Sequence, residues 1–205
     1  KNNQYRFSQL QFEKNKAYYG NNHWIIKRNI SMLAESLKRA FIIRKDDFVS
    51  RSDAGQLVPE RLWKIGRTDD DKLFNRKKRS EDSEFVIDVL IDSSGSQAGR
   101  QAQVAAQGYI ISEALSQAGI PHRVTGYCAF WGYTVLQRFR DYEDPRETNE
   151  RIFQFRAYAN NRDGLALKTV CSSLMERPEK NKILIVLSDG KPCDMSIQRP
   201  GTRQP

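Results

Sequence analysis

The chain has 205 residues, 39% of them hydrophobic, enough for one α/β domain with an appended segment. No apolar run approaches the ~18 residues of a membrane span, and Lys1-Asn2-Asn3-Gln4 does not read as a signal peptide. A membrane protein is therefore not expected; the cytoplasm is the expected compartment, and a start at Lys reads as a fragment. The net charge of +9 is uneven: 19 Lys and Arg face 11 Asp and Glu up to residue 83, but 15 face 14 beyond it. With no nucleic-acid-binding motif beside this excess, it reads as solvated surface, and no specific nucleic acid is expected.

In chain order, Trp24 to Ile43 carries Ile26, Ile30, Leu33, Leu37 and Phe41 at helical spacing, with Lys27, Arg28, Glu35, Lys38 and Arg39 elsewhere. Residues 1–50 are accordingly expected as a helical N-terminal segment. Residues 51–83 read as a charged linker, in which Arg76-Lys77-Lys78-Arg79 adjoins Asp69-Asp70-Asp71 and Glu81-Asp82. From residue 84 the pattern is α/β. A buried strand ends at Ile91, a helix runs from about Ala98 to Ala118, and Gly119 with Pro121 ends it. A strand from His122 to Ala129 turns through Phe130-Trp131-Gly132-Tyr133 into a second at Thr134 to Phe139. Past Asp141-Tyr142-Glu143-Asp144-Pro145 come a short helix near Glu147 to Phe155 and a helix carrying Leu167, Val170, Cys171 and Leu174. A buried strand, Lys182 to Leu187, follows. Strands alternating with helices imply a doubly wound, mostly parallel sheet, with ligands beyond the carboxyl ends of its strands.

Three polar loops meet that description. Asp92-Ser93-Ser94-Gly95-Ser96 closes the first strand, Ser188-Asp189-Gly190 closes the last, and Ala159-Asn160-Asn161-Arg162-Asp163-Gly164 opens a helix. A carboxylate and two hydroxyls at alternate positions of a tight turn offer only oxygen, which selects Mg2+, or Mn2+ or Ca2+, over zinc. The competing reading of the first loop is that its Ser and Asp cap the next helix. Asp163 has the same second reading, as the N-cap of a helix beginning at Gly164.

Other chemistry fits less well. Lys168-Thr169 imitates the end of a phosphate-binding loop, but Leu167 replaces its Gly and Lys168 falls inside a helix. A hydrolase built on Ser94 or Ser96 with His122 as base lacks G-x-S-x-G, and His122 starts its strand at the end away from the loop. Cys128, Cys171 and Cys193 include no C-x-x-C pair, so the first two read as core residues and the third as a loop residue.

The order D-x-S-x-S, polar loop before G-x-A-L, apolar strand ending S-D-G resembles a von Willebrand factor A domain. Its metal-ion-dependent adhesion site is known as MIDAS. Asn161-Arg162-Asp163-Gly164-Leu165-Ala166-Leu167 and Leu187-Ser188-Asp189-Gly190-Lys191-Pro192-Cys193-Asp194 are similar to a narrower group. That group holds the cobaltochelatase subunit CobT and the nitric oxide reductase activation protein NorD; Arg61-Leu62-Trp63 and Lys72-Leu73-Phe74 fit it too. The resemblance spans roughly Arg51 to Asp194. It implies a Rossmann-like vWA domain over 84–205, incomplete at its C-terminus, with the hairpin as the antiparallel sheet edge. It also implies Mg2+ (or Mn2+ or Ca2+) on Asp92, Ser94, Ser96 and Asp189, completed by Asn161 or Asp163. Asn161 stands where the superfamily usually has Thr, and Gln97 where it commonly has Met. The implied partner is a MoxR-type or chelatase-type AAA+ ATPase that brings an acidic ligand to the ion. The chain itself would be a non-catalytic subunit in cobalt chelation for cobalamin biosynthesis or in metalloenzyme activation. A vWA scaffold or adhesion domain with a non-ATPase partner is the alternative.

Overall fold

The computed structural model describes residues 3–44, 48–52, 56–64, 67, 72–78, 85–130, 133–158, 160 and 162–190. They form two compact units, one of residues 1–37 with 83–205 and one of residues 38–82. The smaller unit holds β1 (Phe48–Ser52), β2 (Gln56–Leu57), a 3-10 turn (Pro59–Lys64) and β3 (Phe74–Lys78). In it β3 pairs antiparallel with both β1 and β2. Two of these strands, β2 and β3, lie in the stretch expected as a charged linker and β1 begins in the stretch expected as helical, and Arg76, Lys77 and Lys78 of the basic cluster lie in β3.

The larger unit is built around β4 (Phe85–Asp92), buried at all eight positions. Such burial explains its nearly unbroken apolar run: β4 lies between β5 (His122–Phe130) and β7 (Asn181–Leu187), both parallel to it. The sheet order is β6-β5-β4-β7, with β6 (Tyr133–Arg140) antiparallel to β5 at the edge. Trp131 and Gly132 of that hairpin lie outside the described residues. Successive β4 side chains point to opposite faces. Leu90 packs with Tyr127 of β5 and with Ala166 and Val170 of α4 (Asp163–Met175). Ile91 meets α3 (Gln101–Ala118) at Gly108, where an added Cβ would lie 2.8 Å from Ile91 Cδ1. The sheet is therefore covered on both faces, as in a doubly wound fold.

Gly119 ends α3 with φ of 71°, and its N–H donates to Leu115 and Ser116 carbonyls. This is the left-handed cap expected from Gly119 and Pro121. The short helix near 147 is a 3-10 helix, Arg146–Gln154, and another, Gly95–Arg100, precedes α3. Cys128 is buried as expected, but Cys171 is exposed: on α4 the buried positions are Ala166, Val170 and Leu174, which place it on the solvent side.

Two helices stand at the N-terminus, α1 (Asn3–Asn21) and α2 (His23–Arg44). Ile26 and Ile30 of α2 pack with Ala106 of α3, alongside Tyr18, Tyr19 and Tyr109. The first two residues of the expected amphipathic face are thus buried on the α/β body, whereas Leu33, Leu37 and Phe41 are half-buried. The tie from α1 is polar: Asn15 is 0% exposed and donates to the carbonyls of Phe153 and Phe155, both at 2.9 Å.

Candidate functional site

Register decides what meets at the carboxyl end of the sheet. Asp92, the last residue of β4, stands opposite Tyr127 of β5, and Ile91 stands opposite Leu187, the last of β7. Beyond that line the loops are stitched by backbone bonds. Ser93 N–H donates to Tyr127 O at 2.8 Å, and Tyr158 N–H donates to Ser93 O at 2.9 Å. Ala129 and Asn160 exchange two backbone bonds. The segment leading into α4 is thereby drawn to the Asp92 loop.

The side chains follow. Asp92 is 0% exposed; one carboxylate oxygen accepts the Ser94 N–H at 2.8 Å, and the other accepts the Ser188 hydroxyl at 3.3 Å. Ser94 Oγ lies 2.9 Å from Ser96 Oγ, and although Ser94 is the N-cap of the 3-10 helix it makes no side-chain cap bond. The capping reading thus fails for the Ser94 hydroxyl, while the Asp92 carboxylate does gather one N–H of the turn. Asp163 is the first residue of α4 rather than its cap, which is Arg162; its Oδ1 accepts the Tyr127 hydroxyl at 2.9 Å. Asp189 is nearly buried, and its Oδ2 lies 3.6 Å from Arg100 Nη2. Gln97 is buried, and with Arg100, Ser188 and Asp189 it lines a cleft of about 240 Å³ beside β7. Asn161 lies outside the described residues.

Two participants escaped the sequence reading. Ser188, not Asp189, makes the hydrogen bond from the last loop to Asp92. Tyr127 is buried between the loops, and burial first, then the Asp92 carboxylate and the bond to Asp163, push its hydroxyl well above the ordinary phenol range. It therefore remains a hydrogen-bond donor. The period-2 pattern of β5 places Tyr127 on the Leu90 face, but only the register with β4 reveals that it faces Asp92.

A carboxylate removed from water is costly unless a positive charge or several donors compensate it. Asp92 has one N–H and one hydroxyl, and among the described residues no Lys or Arg pairs with it. Nor, among them, do three His, Cys, Asp or Glu side chains gather as a metal-binding group. Any cation here would depend on hydroxyl oxygens, and Ser94 and Ser96 offer two beside a buried carboxylate. The oxygen-only donor set fits a hard divalent ion.

The alternative chemistries are poorly placed. His122 is in register with Ile87, five residues before Asp92, hence roughly 16 Å from the loop. Its ring contacts Ser112 Oγ and Ile120 O, each at 2.9 Å. Lys168 and Thr169 sit within α4, where the Thr169 hydroxyl donates to Leu165 O.

This arrangement agrees with comparison to known families. The family model described as the Cobalamin biosynthesis protein CobT VWA domain matches residues 73–143 and 146–200. The chain belongs to this family. As a CobT-family VWA domain it carries its match from β3 through the Asp92 and Asp163 loops and past Asp189. It is also similar to "Uncharacterized protein YojO" of Bacillus subtilis (strain 168), at 22% identity over 184 residues. That alignment covers 85% of this chain and 28% of YojO, so the CobT-family domain spans little more than a quarter of that relative's length.

Proposed function

We propose that this VWA domain is a metal-dependent interaction module that acts in cobalamin biosynthesis or in a related metalloenzyme activation of the NorD kind. Asp92, Ser94 and Ser96 would hold Mg2+ in a MIDAS-type site, with Asp189 and either Asn161 or Asp163 completing the set directly or through water. When bound, the ion supplies positive charge and an open coordination position for a carboxylate of the partner. The partner we infer is an AAA+ ATPase of the MoxR or chelatase type, and the domain adds no ATPase activity of its own.

The observation that carries this reading is the Asp92 carboxylate, fully buried, without a cationic partner among the described residues, and adjacent to the hydroxyls of Ser94, which makes no cap bond, and Ser96. A ligand that binds only the folded state stabilises it by about 2.7 kcal/mol at one hundred times its Kd. Millimolar Mg2+ is thus expected to raise the melting temperature of the wild type and to leave Asp92→Ala unmoved. Co-purification from the native host follows, with wild type and Asp189→Ala as baits. Recovery of an AAA+ subunit with wild type alone supports the proposal. Equal recovery with both removes the metal from the mechanism, and recovery of a non-ATPase partner favours a scaffold.

A further inference from the structure

We propose that Tyr127 is a positioning residue of the cation site, holding Asp163 so that one of its oxygens faces the ion directly or through water. The inference rests on the preceding reading of the three loops as a cation site. Nothing in the motif spacing points to this residue; the tertiary structure does. Tyr127 touches two of the loops, each differently. Its backbone carbonyl accepts the Ser93 N–H, which fixes the turn after Asp92. Its hydroxyl donates to Asp163 Oδ1 at 2.9 Å, and its backbone stands in register with Asp92, whose carboxylate accepts the Ser188 hydroxyl. The ring is packed on Leu90, Ala166 and Val170, so the hydroxyl is delivered from a rigid base rather than from a mobile side chain.

The consequence for Asp163 is geometric. As the first residue of α4 it would otherwise turn freely toward solvent or back over the helix N-terminus. The phenol occupies Oδ1, and among the described residues no other partner claims Oδ2. A neutral donor can do this without competing for the site, whereas a Lys or Arg in the same place would neutralise the carboxylate and repel a divalent ion. An outer hydrogen bond of this type commonly changes metal affinity by about 10- to 100-fold.

The test is a double-mutant cycle on Mn2+ affinity, read by the electron paramagnetic resonance signal of free Mn2+, with wild type, Tyr127→Phe, Asp163→Ala and the double variant. Melting in EDTA reports the fold separately. Phe keeps the ring and its packing, so a purely structural role would appear only in the EDTA melt. Expected is an at least 10-fold weaker Kd in Tyr127→Phe, with the double variant no weaker than Asp163→Ala. A Tyr127→Phe affinity within twofold of wild type overturns the inference, as do losses that add fully. Should Tyr127→Phe not fold, Asp163→Ala still decides: wild-type affinity there means that Tyr127 positions nothing the ion needs. Absence of Mn2+ binding by folded wild type removes the cation site itself and this inference with it.

Discussion

Within the Asp92 loop, neighbouring serines have opposite roles. Ser94 and Ser96 point at one another, whereas the Ser93 hydroxyl is buried with no hydrogen-bond partner among the described residues. It fits there because residue 126 is glycine: a Cβ on Gly126 would lie 2.9 Å from Ser93 Oγ. An unsatisfied buried hydroxyl costs about 1–3 kcal/mol, so replacing it by a methyl group returns part of that. Ser93→Ala is expected to be neutral or up to about 1 kcal/mol more stable in urea denaturation. Its response to Mg2+ should equal that of wild type. A clear loss of stability would mean that Ser93 has a role its surroundings do not disclose.

At the level of elements, the two ends of the sheet are built for different tasks. The amino-terminal end carries extended polar networks, in which Arg140 Nε alone of the named groups is buried without a hydrogen-bond partner among the described residues. Asp88 of β4 accepts two bonds from Arg123 of β5, at 3.0 and 2.6 Å, and a third from the Tyr142 hydroxyl at 2.7 Å. Nearby, Ser112 of α3 lies 2.9 Å from His122 Nε2 and 2.8 Å from Asn149 Oδ1, and Asn149 is also bonded to Arg140 and Glu113. Burial, reinforced by the Arg140 charge and opposed by the bond to Ile120 O, holds the His122 imidazole down at about 4, against an ordinary 6.5. Between those values the unfolded chain binds a proton that the folded chain does not. The resulting stability is complete above pH ~6.5 and is lost as pH falls toward 4, by about 3 kcal/mol at most. Urea unfolding of wild type and His122→Gln from pH 7 to 4 should therefore give a steeper loss for wild type; parallel profiles would refute the assignment. The carboxyl-terminal end, by contrast, has Asp92 with no such network around it.

On the scale of the molecule, the basic excess before residue 84 belongs to the N-terminal helices and the small three-stranded unit, not to the loops around Asp92. Residues 1–37 carry six Lys and Arg against two Glu and residues 38–82 carry thirteen against nine Asp and Glu, and no groove-reading motif accompanies them. Binding to a random DNA duplex at near-physiological salt is expected at a Kd of about 10 μM or weaker, collapsing as salt rises. Filter binding or fluorescence anisotropy across a salt series tests this, and tight sequence-selective binding at 200 mM salt would contradict it.

Sequence alone was enough for the α/β order of residues 85–187, because a strand covered on both faces must be apolar throughout and a helix covered on one face must repeat its apolar positions. The three polar loops were legible for a related reason, since polar runs stand out when they close buried strands. Helix was expected over residues 1–50, but a separate helix α1 ahead of α2 was not legible: Tyr5, Phe7 and Leu10 are exposed, while among its described side chains the fully buried one is Asn15, an amide satisfied by distant carbonyls. The small sheet was hidden too, as its strands are short and charged and are held by pairing rather than by a core pattern. At the site, residue types marked Asp92, Ser94, Ser96 and Asp163. That Ser188 contacts Asp92 and that Tyr127 holds Asp163 depended on strand register, which brings residues up to 96 positions apart within hydrogen-bonding reach. Such a contact leaves no local period in the chain, so only the tertiary structure decided it.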